Sequence, residues 1–151
     1  MTARRSLHDS DFYAWSLEQA ALLRSGRVAE ADLGAVAEEI EGMGKAEKRE
    51  LISRLTVLLL HLLKWERQPA RRGDSWRLSI ANARDEIADL LADNPSLKSV
   101  LDDAMASAFR YARRKAAIDT DLGEEDFQRD ARGVLRRRRM RGSGPRKILE
   151  D

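Results

Sequence analysis

Glu47, Arg54 and His61 place a carboxylate, a guanidinium and an imidazole at seven-residue intervals. Seven residues are close to two helical turns, so on a helix the three stack in one polar line. One reading makes the line a shared polar site between helices, with His61 as general base and Glu47 or Glu50 orienting it. The other makes it a half-buried network that fixes helix register. The line lies within about 60° of a leucine seam, with Trp65 on the seam side of His61. His61 is therefore at the edge of an apolar face, where a neighbouring helix half-buries it. Histidines in that position are more often satisfied structural residues than ligands.

Other chemistries find less support. The chain has no cysteine, which excludes disulfides, thiolate zinc sites, iron–sulfur ligation and cysteine nucleophiles. A carboxylate di-iron bundle needs Glu three residues before His. Leu58 stands there, and the second histidine, His8, is near the start of the chain. Glu38 to Glu41, "EEIE", points its side chains three ways around a helix and reads as a solvated face. "GMGKA" lacks the first glycine and the Ser/Thr of a phosphate loop, since Glu39 and Ala46 occupy those places. No Gly-x-Ser-x-Gly occurs, so no nucleophile is signposted. No metal and no cofactor is expected.

The net charge of +2 conceals an asymmetry. Of 28 bases and 26 acids, eight bases and two acids fall in residues 132–151, leaving 20 and 24 in residues 1–131. A mildly acidic body thus carries a basic end. Arg136, Arg137, Arg138 and Arg139 could neutralise phosphates. Four consecutive arginines fan around a helix, and no aromatic residues interleave for base stacking. A helix end whose cations suit the dipole is the competing reading. Arg71, Arg72 and Arg77 form a smaller basic cluster beside Trp76.

Composition and periodicity are helical throughout. Ser10 or Asp9 is a candidate cap for a first helix with Phe12, Trp15, Leu22 and Leu23 on one face, ended by Gly26. Leu33, Val36, Ile40 and Met43 step 3, 4 and 3. Leu51, Leu55, Leu58, Leu62 and Trp65 step 4, 3, 4 and 3. Leu51 is about 20° from Ile40 on the wheel, so the seam keeps phase across Gly42 and Gly44. Either one long helix over roughly 33–67 is kinked there, or two helices meet. Pro69 stops the run. Asp74 or Ser75 caps the next helix, with Trp76, Ile80, Ala83, Ile87 and Leu90 on its face. Asn94 and Pro95 read as cap and first helical residue of another, with Leu97, Leu101, Ala104, Ala108 and Tyr111. A last, weaker helix holds Phe127, Ala131, Val134 and Leu135. The expected fold is an all-α bundle of about five helices. It forms one domain over 1–131, with 132–151 as a basic helix end and flexible tail.

Five segments in order, "DFYAWSLEQAALLRSG", "EEIEGMGKAEKRELISRL", "LLLHLLKWERQP", "SW" and "NPSL", resemble the bacterial domain-of-unknown-function family 29 over roughly residues 11–127. The resemblance implies an all-helical fold and supplies no catalytic residues, because the family has no established reaction. This chain departs at its end. Asp119, Thr120 and Phe127 match the pattern, but Gln128 stands where the family has proline, and no Cys-Pro-Trp follows.

These readings converge on a non-enzymatic protein-interaction module of the cytoplasm. Its binding surface is the junction of Glu47, Arg54, His61, Trp65 and Trp76, and it docks an unidentified protein partner. Nucleic-acid binding through Arg136 to Arg139 and an enzyme using His61 are the alternatives. No run approaches the ~20 apolar residues of a membrane span, and the "MTARRSLHDSDF" start has no apolar stretch of a secretory signal.

Overall fold

The computed structural model describes residues 6–127 and 131–137, with the side chains of 136 and 137 outside that description. Among the described residues there is no strand, and the chain is all-α. Its helices are α1 (Leu7–Ser10), α2 (Phe12–Arg24), α3 (Leu33–Arg67), α4 (Asp74–Asp93), α5 (Leu101–Thr120) and α6 (Ala131–Arg137). Short 3-10 turns lie at Val28–Glu30, Pro69–Arg71, Pro95–Val100 and Glu124–Phe127. Two compact units, Met1–Ala46 and Glu47–Asp151, divide the chain. α3 is one helix of 35 residues through that boundary, so two helices do not meet at the glycines. Gly42 and Gly44 each cost about 1 kcal/mol relative to alanine in a helix interior. A Cβ at either position meets nothing within 4 Å, so no packing within the described chain calls for glycine there.

In the first unit, Ser6 caps the single turn of α1 through Asp9 N–H. The cap of α2 is Asp11 and not the expected Ser10 or Asp9. Its backbone breaks the helix at φ −150°, and its carboxylate accepts from Ala14 N–H at 3.0 Å. α2 ends as predicted at Gly26, whose φ of 73° suits a residue without Cβ. Gly26 N–H bonds to the Leu23 carbonyl and Arg27 N–H to that of Leu22, closing the orphan carbonyls of the last turn. Gln19 is buried and accepts from Asp32 N–H at 2.7 Å; Asp32 in turn accepts from Ala35 N–H and starts α3. The apolar faces expected here are largely uncovered. Trp15 is buried, whereas Phe12, Leu23, Leu33, Ile40 and Met43 are exposed. Periodicity marks an apolar side; it does not supply a surface to cover it.

The second unit holds the core. Leu51, Leu55, Leu59 and Leu63 on α3 join Ile80, Ala83 and Ile87 on α4, the alanines of α5, Phe127, and Ala131 and Val134 on α6. On α5 the buried line is Ala104, Ala108, Ala112 and Ala116, at steps of four, and Tyr111 is exposed against expectation. Small residues along that line let the α5 backbone approach while leucines supply the bulk. α4 begins at Asp74 itself, with Gly73 before it and no side-chain cap. Asn94 turns its Nδ2 back to the Leu90 carbonyl rather than capping forward. Pro95 opens a 3-10 turn, and α5 starts only at Leu101.

Leu59→Ala is expected to lower the unfolding free energy by about 2–5 kcal/mol and Ala108→Leu by about 1–3 kcal/mol. Leu78→Ser, at an exposed position of α4, should stay within about 0.5 kcal/mol of the parent. Urea unfolding followed by circular dichroism measures all three.

Candidate functional site

The three residues spaced by seven do not form one network. Glu47 is exposed and makes no ion pair or hydrogen bond among the described residues. Arg54 turns instead to Glu50, at 2.6 Å on its own helix, and to Glu86 on α4, at 2.8 Å. It ties α3 to α4, and the Glu50 hydrogen bond raises its pKa further. His61 is half-buried, as its place at the seam edge predicts, with Nδ1 2.8 Å from the Val57 carbonyl one turn earlier. That bond fixes the tautomer with the proton on Nδ1.

Trp65 and Trp76 do come to one place, the corner where α3 ends and α4 begins. Each half-buried indole is faced by the cation next to the other in sequence. Lys64 Nζ is 5.2 Å from the Trp76 ring and Arg77 Cζ 5.8 Å from the Trp65 ring. Arg72 adds a second guanidinium 5.4 Å from Trp65, held by its Nε donating to the Trp65 carbonyl at 2.7 Å. Such contacts are worth roughly 0.5–1 kcal/mol each at exposed sites. Lys64 also reaches Asp119 on α5 at 3.4 Å, and Arg67 donates to the Asp126 carbonyl. Gln68 Oε1, just after α3, is buried and has no hydrogen-bond partner among the described residues. A lone buried acceptor costs about 1–3 kcal/mol.

Residues 64–77 hold five cations, Lys64, Arg67, Arg71, Arg72 and Arg77, against two carboxylates, Glu66 and Asp74. The corner is thus a basic patch on an acidic body. The sequence places Arg71, Arg72 and Arg77 beside Trp76; the fold brings Arg72 and Arg77 over Trp65 as well.

A second cluster lies in the first unit and rests on His8, which sequence reasoning passed over. His8 Nε2 is 2.6 Å from Glu39 Oε1, so α1 is clasped to α3. The ring meets Trp15 edge-on at 4.5 Å and Phe12 at 5.5 Å. The Glu39 hydrogen bond, aided by Asp9, raises the His8 pKa above its usual value. The Ser6 hydroxyl and His8 lower that of Asp9. The available signal was the spacing of His8, Phe12, Trp15 and Gln19 at i, i+4, i+7 and i+11.

An open cleft of about 530 Å³ beside α2 is lined by Glu18, Ala21, Leu22, Ser25, Arg27 and Glu30. Two of its ionic groups satisfy each other, Arg27 gripping Glu30 through two nitrogens. Among the described residues no three of His, Asp and Glu converge in a way that could hold a metal. No helix among them is long and apolar enough to cross a membrane. Arg136 and Arg137 end α6, but their side chains, and all of Arg138, Arg139 and the expected flexible tail, lie outside the described residues.

Fold and surface together define a small all-helical protein with a basic-aromatic corner. The chain belongs to the family described as Domain of unknown function DUF29, which matches residues 7–135. The match takes in His8 and reaches α6, beyond the 11–127 span of the resemblance. No curated protein and no solved structure matches the chain.

The sign of the His8 shift sets a pH dependence. A histidine whose folded pKa is raised stabilises fully below its unfolded value of about 6.5 and loses that contribution as pH rises through the folded value. The α1–α3 clasp should therefore loosen on alkalinisation. A proton NMR titration of the His8 ring, assigned with His8→Gln, should give a pKa above 6.5 that falls in Glu39→Gln.

Proposed function

We propose that this chain is a non-enzymatic protein-interaction module that docks an acidic segment of a partner protein on the Trp65–Trp76 corner. The observation carrying the reading is the pairing of two half-buried indoles with Lys64, Arg72 and Arg77, in a stretch of net positive charge on an acidic body. Tryptophan and arginine dominate docking energetics because they offer large area and fixed polar geometry at low entropic cost. With Nε of Arg72 engaged by the Trp65 carbonyl, its terminal N–H groups are the ones suited to a carboxylate. Beside its contact with the Trp65 ring, Arg77 pairs with exposed Asp74 at 3.4 Å, an ion pair a partner's carboxylate can replace at little cost. Arg54 ties α4 to α3 through Glu86, and His61 is anchored to the α3 backbone.

The test is panning of a displayed peptide library against the intact protein, in nuclease-treated buffer. Enrichment of acidic peptides with an apolar anchor is expected. Trp65→Ala should weaken a selected peptide at least ~30-fold, and Arg72→Ala with Arg77→Ala should flatten the salt dependence of binding, with helicity unchanged. Enrichment of neutral or basic peptides, or binding indifferent to these variants, overturns the reading. Retention of nucleic acid that only nuclease removes overturns it in favour of a nucleic-acid role.

A further inference from the structure

α3 in the first unit carries an apolar ridge that nothing among the described residues covers. Leu33 is 51% exposed, Ile40 63% and Met43 71%. At 100° per residue, Leu33 and Ile40 lie 20° apart, and Gly44 falls 40° from Ile40 along the same ridge. Gly44 is in open space, so its missing side chain leaves a flat place on the ridge and serves no contact within the chain. A glycine in a helix interior with no internal packing reason fits close approach of something outside the chain. The charges along the helix run in a fixed order. Three acids, Glu38, Glu39 and Glu41, precede three bases, Lys45, Lys48 and Arg49, with Glu47 the one acid among the bases. A helix charged in that order complements its own reverse.

From these features we infer that the chain self-associates through the ridge of α3, with a second copy of the same helix packed antiparallel about a twofold axis near Gly42 and Gly44. In that register Ile40 of each copy seats over Gly44 of the other. Lys45 of one copy comes within a turn of Glu38 and Glu41 of its mate. The arrangement is isologous, as a closed dimer requires. Glu39 takes no part, because His8 already holds it. The ridge is short against the roughly 1,200–2,000 Å² of a standard interface, so the dimer is weak, with a dissociation constant on the order of 10 µM or above.

Sedimentation velocity of the full chain from about 1 to 200 µM tests this. A monomer–dimer equilibrium within that range is expected. Ile40→Glu should raise the dissociation constant at least ~30-fold, by burying a charge at the contact. Gly44→Leu should do the same by filling the flat place, while helicity and melting temperature are kept or raised, since leucine is the better helix former. Glu38→Lys with Glu41→Lys should weaken self-association, and mixing that variant with Lys45→Glu should restore it as a heterodimer. A chain that stays monomeric to about 200 µM, or a dimer untouched by Ile40→Glu and Gly44→Leu, overturns the inference and leaves the ridge to a different occupant. The readout is independent of the Trp65–Trp76 corner, so either reading can fail alone.

Discussion

Burial of the leucine face on the C-terminal half of α3 is the interaction on which the second unit depends. Leu51, Leu59 and Leu63 are almost wholly removed from water, and α4, α5, Phe127 and α6 all contribute side chains to the cluster they centre. α4 and α5 each bury a single apolar stripe, and an isolated helix of such composition is marginal in water. α5 shows the consequence most directly. Its buried line is four alanines, which offer little area, so that helix is held because its slim face fits against the leucines.

The same helix that organises the core leaves it uncovered at its other end. From Leu33 to Met43 the apolar period continues, yet Leu33, Ile40 and Met43 face water and only Val36 is half-buried. The first unit is held differently. Gln19, Asp32, the Gly26 turn and the His8–Glu39 clasp are polar or backbone interactions around the buried Trp15. Such contacts exchange bonds to water for bonds within the chain, so their net contribution is modest and their value is directional. Helix geometry in this unit therefore rests on caps and specific bonds more than on area.

The basic-aromatic corner arises from where α3 stops. Gln68 and Pro69 end the helix just after Lys64 and Trp65, and the short turn brings Trp76 and Arg77 back alongside within twelve residues of Trp65. Each cation then lies near the indole of the opposite helix end, which fixes long side chains that would otherwise sample many rotamers. A charged surface whose entropy is already spent is better suited to docking than one of free lysines.

The sequence by itself determined that the chain is helical, roughly where the helices lie, and that no thiol or phosphate-loop chemistry is present. Those are local properties: the 3.6-residue period, the proline stop at Pro69, the glycine turn at Gly26 and the absence of cysteine each act within a few residues. It also placed His61 at the edge of a buried face, because distance from a seam can be measured on one helix. Tertiary structure alone decided what lies between helices. Arg54 was on a line with Glu47 and His61, but a guanidinium at the end of a long chain takes the carboxylates in reach, and Glu86 is in reach only once α4 has docked. Ile40 and Leu55 share one period; only packing separates the exposed residue from the buried one. His8 and Glu39 are 31 positions apart, and no local pattern couples them. Periodicity is a property of a single helix, whereas partners belong to pairs of helices, and the register of those pairs is set by the fold of the whole chain.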